Sequence, residues 1–250
     1  MNRVNTQAKV ALVTGGARRI GAAICKKLHA AGYRIAVHCN TSLKEGQALV
    51  NELNEIRQNS AMVLAMDLLK SNAAESIANQ VEAWSARMDL LVNNASVFKK
   101  DVGFDQAGAL WEELFRVNVR TPYLLSLASQ KLLAAHQGVI INLTDIHSER
   151  PLKGYSLYCQ TKAALDMLTK SLAREFAPDI RINAVAPGAI LWPENENSLS
   201  LDIQNKIIEQ TPLKRHGHPD FIAQAVLALA ENQFITGQIL KVDGGRHLAS

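Results

Sequence analysis

Short apolar runs rich in valine, isoleucine and leucine alternate along the chain with longer segments of helical periodicity. The first run, Val10-Ala11-Leu12-Val13, is continuously apolar, as is typical of strands that are buried on both faces of a sheet. Strands that alternate with helices favour a parallel sheet covered by helices on both sides. We therefore predict an α/β fold with a doubly wound parallel sheet of about seven strands.

The same patterns predict where the elements lie. The predicted strands are Lys9–Thr14, Tyr33–His38, Ala61–Met66, Asp89–Val92, Gly138–Leu143, Ile180–Val185 and Gln238–Val242. The predicted helices are Arg19–Ala31, Lys44–Gln58, Asn72–Arg87, Leu110–Ala135, Ser156–Phe176 and Pro219–Ala230. The poorly patterned stretch Ala189–Asn205 is predicted to be a lid or binding loop, with a variable surface excursion as the alternative.

Composition excludes several classes of protein. The formal net charge of +4 over 250 residues is too small and too dispersed for a nucleic-acid partner, although it suits an anionic cofactor. No apolar stretch approaches the ~18 residues of a membrane span, and no apolar signal region precedes the first strand. Cys25, Cys39 and Cys159 have no metal-ligand spacing. We therefore expect free thiols in a cytoplasmic protein, with no metal, membrane or nucleic acid bound.

A glycine-rich turn, Thr14-Gly15-Gly16-Ala17-Arg18-Arg19-Ile20-Gly21, follows the first predicted strand and opens the first helix. In this context the backbone N–H groups around Gly15 and Ile20 can bind a pyrophosphate. The glycines equally serve tight turning and close helix–strand packing. Arg19 occupies the usual place of the middle glycine, where its guanidinium can bind a phosphate or reach into a catalytic cleft.

The second predicted strand ends without an acidic residue. An Asp or Glu at this point bonds the ribose 2′-hydroxyl of NAD and repels the 2′-phosphate of NADP. Its absence, with two arginines in the preceding turn, predicts NADPH and NADP as the cofactor. The residues expected near the 2′-phosphate are Arg18, Arg19, His38, Asn40, Thr41 and Ser42.

Further cofactor contacts are predicted at the ends of later strands. Asp67, with Leu68 beside it, is placed to accept a hydrogen bond from the adenine amine, and N-capping of the next helix is the alternative. Asn94 and Ala95 follow the fourth strand and Thr144 follows the fifth. Both positions lie at the carboxyl edge, where open α/β sheets bind ligands.

Tyr158 and Lys162 are four residues apart in a predicted helix and therefore share one helical face. There the ammonium can lower the pKa of the phenol by favouring the phenolate. A phenol of this kind is a general acid for a substrate that receives a hydride. The alternative is an amphipathic tyrosine beside a solvated lysine.

Together these motifs resemble the short-chain dehydrogenase/reductase family. The matching motifs are the T-G-x-x-x-x-x-G turn, Asn93-Asn94-Ala95, Asn118, Tyr158-x-x-x-Lys162 and Pro187-Gly188. The resemblance implies one Rossmann-like domain over residues 1–250, with a cofactor half at about 9–120 and a catalytic and substrate half at about 121–250. It places a substrate loop at about 189–210, and it implies a homo-tetramer or a dimer.

The resemblance also implies residue roles. Tyr158 would donate the proton, and Lys162 would hold the nicotinamide ribose while lowering the pKa of the tyrosine. Asn118 would anchor a water relay, and Pro187-Gly188 would line the nicotinamide.

Two departures from the common family pattern narrow the range of substrates that the resemblance implies. Asp145 stands 13 residues before Tyr158, where most members carry a serine that polarises a carbonyl. A carboxylate would repel a developing alkoxide, but it suits protonation of a ring nitrogen, directly or through water. The second departure is Arg19 in the glycine turn.

Both departures are typical of pteridine reductases, which the chain resembles in three motifs. These are the arginine-containing turn Thr14–Gly21, the segment Asn94-Ala95-Ser96-Val97-Phe98, and Asp145 followed by Gly154-Tyr155-Ser156-Leu157-Tyr158. The resemblance implies that Phe98 stacks on a pterin and that Ser96 and Arg19 contact the pterin and the cofactor phosphates. Otherwise Phe98 is a core-edge aromatic and Ser96 a turn residue. The closing segment Asp243–Leu248 also resembles bacterial dihydromonapterin and dihydrofolate reductases of this branch.

The leading hypothesis is therefore an NADPH-dependent reductase of a dihydropterin (dihydrobiopterin, dihydromonapterin or dihydrofolate). The first alternative is a short-chain reductase of a carbonyl substrate such as a 3-oxoacyl thioester. The second is a catalytically silent dinucleotide-binding sensor or scaffold. His147, His216 and His218 are interpreted as loop residues, with His147 as a possible neighbour of the pterin.

Overall fold

The computed structural model of the chain describes residues 8–192 and 198–248. In these ranges seven parallel strands form one sheet in the order β3-β2-β1-β4-β5-β6-β7. The strands are β1 (Val10–Val13), β2 (Arg34–Cys39), β3 (Ala61–Ala65), β4 (Leu90–Asn93), β5 (Val139–Leu143), β6 (Arg181–Pro187) and β7 (Ile239–Val242). The predicted α/β fold, a single Rossmann-like domain with a doubly wound sheet, is confirmed.

Helices cover both faces of this sheet. They are α1 (Arg19–Ala30), α2 (Leu43–Ile56), α3 (Ala73–Ser85), α4 (Phe104–Phe115), α5 (Thr121–Ala128), α6 (Gln130–Ala134), α7 (Ser156–Glu175), α8 (Leu201–Glu209) and α9 (Pro219–Glu231). None of the helices in the described ranges combines the length and the apolar character needed to cross a bilayer.

Strand β1 shows how the sequence builds the core. Its residues are fully buried, and alternate side chains point to opposite faces of the sheet. Ala11 and Val13 join the apolar cluster under α1, α2 and α9, whereas Val10 and Leu12 join the cluster under α3, α5 and α7. Burial on both faces explains why the run is apolar throughout.

The strand order reverses at β1, and this reversal positions the site. Val13 at the end of β1 pairs with Val37 of β2 on one side and with Val92 of β4 on the other. The crossovers on the two sides therefore leave in opposite directions, which opens a crevice beyond the carboxyl ends of the strands. The glycine turn and the segment after β4 both begin at this crevice.

The predicted continuous helix at Leu110–Ala135 is wrong. The segment divides into the end of α4, a π-helical turn at Arg116–Arg120, and the short helices α5 and α6. Pro122 has no N–H with which to continue the ladder, and the Thr121 N–H bonds to the carbonyl of Arg116, five residues back. The π-helical turn therefore accommodates the proline.

The predicted loop at Ala189–Asn205 is only partly irregular. Its last residues begin α8, where the Ser200 hydroxyl accepts a hydrogen bond from the Ile203 N–H at 3.4 Å. Residues 193–197 of that prediction lie outside the described residues.

Candidate active site

Tyr158 and Asp145 contact each other directly. The Tyr158 hydroxyl donates a hydrogen bond to Oδ2 of Asp145 at 2.8 Å. The other carboxylate oxygen, Oδ1, accepts the His147 N–H at 2.9 Å, in a turn that follows β5. Because both oxygens are engaged, the carboxylate is oriented toward the phenol.

The predicted lowering of the Tyr158 pKa is wrong for this arrangement. Burial of the side chain raises the pKa of Tyr158 well above its usual value, and the charge and hydrogen bond of Asp145 raise it further. Lys162 Nζ lies 5.6 Å from the centre of the phenol ring. The phenol is therefore held in its protonated form, which is the form that a proton donor requires.

Lys162 is directed to the backbone of β5. Its ammonium donates to the Leu143 carbonyl at 2.9 Å, and the side chain is buried. Burial lowers the pKa of Lys162 to about 8, while the negative charges of Asp145 and Asp166 act in the opposite direction. The negative charge of Asp145 therefore raises the pKa of both Tyr158 and Lys162.

Asn118 lies in the π-helical turn and fixes the segment after β4. Its Oδ1 accepts the Val97 N–H at 2.8 Å and the Ser96 hydroxyl at 3.2 Å, and its Nδ2 donates to the Val97 carbonyl at 3.0 Å. Nδ2 also donates to the Thr161 hydroxyl on α7 at 3.1 Å. Asn118 thereby ties the Ser96 segment to the tyrosine helix.

The glycine turn approaches the segment after β4 closely. Asn94 Nδ2 donates to the carbonyls of Thr14 at 2.8 Å and Gly15 at 3.1 Å. A Cβ at Gly21 would lie 2.1 Å from the Gly15 carbonyl oxygen, so only glycine fits there. Arg19 takes a left-handed backbone conformation, with φ of 53°, and its Nη2 donates to the Trp192 carbonyl at 3.0 Å. Arg19 therefore links the turn to the segment after β6.

The prediction that His38 contacts the cofactor phosphate needs correction. The side chain is buried beneath the turn, where Nδ1 accepts the Gly15 N–H at 3.3 Å and Nε2 bonds to the Met66 carbonyl at 2.9 Å. Burial lowers the pKa of His38, in agreement with a neutral ring that donates from one nitrogen and accepts at the other. His38 supports the turn from below.

The other predicted cofactor residues lie around the same crevice. Arg18, Asn40 and Thr41 are exposed, and Ser42 is half-buried at the start of α2.

Asp67 accepts the Leu69 N–H at 2.9 Å in a local turn, and Asn72, not Asp67, is the N-cap residue of α3. The alternative role of Asp67 as a helix cap is therefore wrong. Leu68 is buried, and Ala95 donates its N–H to the Thr14 hydroxyl at 3.0 Å.

Three aromatic rings line the cleft beside Asp145. Phe98 stacks on Tyr155 with ring centres 4.4 Å apart and meets Tyr158 edge-on at 4.7 Å. Tyr155 was not predicted as a site residue, although it stands in the motif that contains Tyr158. Its ring gives Phe98 a fixed orientation.

A cavity of about 730 Å³ joins these groups. The predicted site residues that line it are Arg19, Ile20, Asn94, Ser96, Phe98, Thr144, Asp145, Tyr158, Lys162, Pro187 and Gly188. His147, interpreted from the sequence as a loop residue with a place beside the pterin as the alternative, also lines it. Trp192, Ile203 and Ile207 also line it and lie within the predicted substrate loop at about 189–210, although they were not named individually. Prediction missed Arg246, because no local motif marks a residue that tertiary packing brings to the cleft.

The described residues contain no group of three His, Cys, Asp or Glu side chains that could hold a metal ion. Cys25, Cys39 and Cys159 are free, buried thiols.

A family model described as enoyl-(acyl carrier protein) reductase matches residues 15–247. The chain belongs to the short-chain dehydrogenase/reductase family. This confirms the predicted family, and the protein is an oxidoreductase of the short-chain dehydrogenase/reductase type.

Relatives within the short-chain dehydrogenase/reductase family include both 3-oxoacyl and pteridine reductases. The chain is 34% identical over 244 residues to 3-oxoacyl-[acyl-carrier-protein] reductase FabG of Staphylococcus epidermidis, covering 96% of this chain and 99% of the relative. It is 32% identical over 286 residues to pteridine reductase 1 of Leishmania tarentolae, covering 96% and 97%. A crystal structure of FolM alternative dihydrofolate reductase 1 from Brucella canis, complexed with NADP, superposes with a TM-score of 0.90 at 35% identity, covering 100% and 98%.

Proposed function

We propose that the protein is an NADPH-dependent pteridine reductase, which transfers a hydride to a dihydropterin and produces the tetrahydro form. The observation that carries the proposal is the 2.8 Å hydrogen bond between Tyr158 and Asp145. In reduction of a ketone the developing alkoxide would lie against this carboxylate, and like charges repel. In reduction of a pterin the acceptor is a ring nitrogen, which is basic enough to take its proton before or together with the hydride, so no anion develops against the carboxylate.

Tyr158 supplies that proton. The substrate gains a hydride at a ring carbon and a proton at the adjacent ring nitrogen, so charge balances within the ring. Burial and Asp145 raise the pKa of Tyr158, so the phenol keeps its proton until the ring nitrogen accepts it with the hydride, and the phenolate left behind takes a proton from solvent. Asp145 orients the phenol and, through its charge, stabilises the protonated form.

The crevice suits a dinucleotide cofactor. The Gly15 turn approaches Asn94 without side-chain obstruction, and a Cβ at Gly188 would lie 2.6 Å from the Cβ of Asp243, so the wall there requires glycine. NADPH supplies the hydride when bound. The residues that would hold it are Gly15, Arg18, Arg19, Ile20, Asn40, Thr41, Ser42, Asp67, Leu68, Asn94, Ala95, Ser96, Asn118, Thr144, Tyr158, Lys162, Pro187 and Gly188. The NADP in the similar Brucella structure supports this assignment.

The substrate would lie between Phe98 and the nicotinamide position. A flat ring stacked on Phe98 gains about 0.5–1.5 kcal/mol beyond the burial of area. Ser96 and Arg19 line the same cavity and would donate to the pterin edge. The names of the similar pteridine reductase and FolM proteins support a pterin or folate substrate.

The second candidate function is reduction of a 3-oxoacyl thioester. It is favoured by the 34% identity to a 3-oxoacyl-[acyl-carrier-protein] reductase over nearly the whole chain. Asp145 disfavours it for the electrostatic reason given above.

Apolar side chains on α4, α5 and α7 remain exposed, among them Trp111, Tyr123, Leu127 and Met167. Exposed apolar groups on neighbouring helices support association of subunits. We propose a homo-tetramer built on these helices, with a dimer as the smaller alternative, in the cytoplasm.

A substrate panel tests the proposed function. Purified protein is mixed with NADPH and, in separate reactions, with dihydrobiopterin, dihydromonapterin, dihydrofolate or an acetoacetyl thioester, and absorbance at the nicotinamide band is followed. We expect NADPH oxidation with at least one dihydropterin and a much lower kcat/KM with the thioester. Turnover of the thioester alone would overturn the proposal in favour of the second candidate.

A further inference from the structure

Arg246 lines the cavity but belongs to none of the sequence motifs of the active site. It begins a short helical turn, Arg246–Leu248, just after β7, and it lines the same cavity as Asp145 and Tyr158. Its carbonyl accepts a hydrogen bond from Arg150 Nη1 at 2.7 Å, and its N–H donates to the Asp243 carbonyl at 3.2 Å. The backbone of Arg246 is therefore fixed from both sides.

One nitrogen of the Arg246 guanidinium has no acceptor in the part of the chain that the structure describes, although the carboxylates of Asp145 and Asp243 act on its charge through space. Its Nη1 atom is buried and has no hydrogen-bond partner among residues 8–192 and 198–248. The nearby Asp243 carboxylate is committed to the N–H groups of Gly245 and His247 and to the His247 ring, at 2.7 to 2.9 Å. Arg246 is half-buried and lines the ligand cavity, so its guanidinium, with a donor that no group in the described ranges uses, can turn to an acceptor on the ligand.

Charge and shape around Arg246 indicate the kind of acceptor. In the described part of the cavity lining Asp145 is the one acidic side chain, against the cations Arg19, Lys162 and Arg246. Ile203 and Ile207 of α8 form an apolar wall in the same cavity. The cavity of about 730 Å³ must hold the nicotinamide end of the cofactor as well as the substrate, so its volume does not by itself indicate the length of the substrate. An apolar spacer that ends in an anion matches both the charge and the apolar wall.

We propose that Arg246 is a specificity-determining residue that binds a carboxylate on the side chain of the dihydropterin. This inference rests on the proposed function and narrows its substrate class. The preferred substrate then carries a flat apolar spacer and a carboxylate, as dihydrofolate does, in contrast to the neutral hydroxyalkyl chain of dihydrobiopterin. The planar guanidinium can bind the two carboxylate oxygens with parallel N–H donors.

The test compares two substrates in three variants. The measured quantity is the ratio of kcat/KM for dihydrofolate to kcat/KM for dihydrobiopterin. In Arg246→Met we expect this ratio to fall about tenfold or more, mainly through KM for dihydrofolate. In Arg246→Lys, which keeps the charge but loses the planar fork, the ratio falls less. The control Lys153→Met removes an exposed positive charge at a position that lies between Asp145 and Tyr158 in the sequence. It should leave the ratio unchanged.

Two results overturn the inference. The first is a ratio that stays within about twofold in Arg246→Met, whether or not both kcat/KM values fall together. The second is an equal fall of the ratio in Lys153→Met, which would indicate only a general effect of positive charge. Thermal unfolding and NADPH binding of each variant identify damage to the fold. If Arg246→Met is damaged, the ratio measured in Arg246→Lys tests the inference instead. Absence of turnover with every dihydropterin refutes the proposed function itself, whereas dihydropterin turnover with an unaffected ratio refutes only the role of Arg246.

Discussion

The Tyr158 hydroxyl and the Asp145 carboxylate, 13 positions apart in the chain, are joined by a 2.8 Å hydrogen bond at the end of β5. The bond places a negative charge beside the proton donor, where a serine hydroxyl would be neutral. Since burial already disfavours the phenolate, the carboxylate adds to the same effect. The pair is therefore organised to keep a proton on Tyr158.

Replacement of Asp145 by asparagine should move the pH profile of the reaction. The negative charge of Asp145 raises the pKa values of both Tyr158 and Lys162. Without it both pKa values fall, so the alkaline limb of kcat/KM should shift to lower pH. The profile is measured with NADPH and the best dihydropterin. An unchanged limb would show that neither group controls the profile through Asp145.

Lys162 should give the stability of the protein a specific pH dependence. Its pKa is about 8 in the folded state and 10.5 for the free side chain. Between these values the unfolded state binds more protons, so the free energy of unfolding rises with pH, by about 3 kcal/mol at most. Urea unfolding of wild type and Lys162→Met at pH 8 and pH 10 measures this slope. The slope should be lost in Lys162→Met and kept in the exposed-lysine control Lys153→Met.

Two substitutions of Arg19 separate the effect of backbone strain on stability from the effect of the guanidinium on cofactor binding. Its φ of 53° lies in the region that glycine tolerates and other residues avoid. Arg19→Gly and Arg19→Ala both lose the guanidinium, and both should bind NADPH at least about tenfold more weakly. Only the glycine variant relieves the strain, so it should be about 1 kcal/mol more stable than the alanine variant. Equal stability of the two variants in urea would contradict a strained turn.

Cofactor preference should depend on the end of β2. Wild type is expected to use NADPH in preference to NADH, because no acid stands at the exposed residues after Cys39. Asn40→Asp adds a charge that repels a 2′-phosphate and can accept a hydrogen bond from a 2′-hydroxyl. It should lower the NADPH to NADH ratio of kcat/KM about tenfold or more. Equal or better use of NADH by wild type would refute the preference.

Sequence patterns that extend over a few residues predicted the buried strands and the helix that carries Tyr158 and Lys162. Continuous apolar runs marked the buried parallel strands, and the four-residue spacing of Tyr158 and Lys162 placed both on one helix. The break of the helix near Pro122 was missed, because the apolar periodicity continues through the π-helical turn. The position of a proline within a helical pattern was the available signal.

Through-space effects could not be predicted in the same way. The direction of the Tyr158 pKa depends on the distance to Asp145 and on burial, and neither follows from spacing. His38 carries the residue type of a phosphate donor, yet the fold buries it under the Gly15 turn. Arg246 reaches the cavity only because β7 ends beside β6, far along the chain from the catalytic motifs.

The most direct test of the proposed function is the effect of Asp145→Ser on two substrates. Asparagine at this position tests the charge, whereas serine restores the residue that most family members carry. We predict that kcat/KM for the dihydropterin falls by about 10²-fold or more, since the oriented proton donor is disturbed. The rate with an acetoacetyl thioester should fall less or rise. Intact dihydropterin turnover in Asp145→Ser would contradict the role assigned to Asp145 and, with it, the basis for choosing a pterin over a carbonyl substrate.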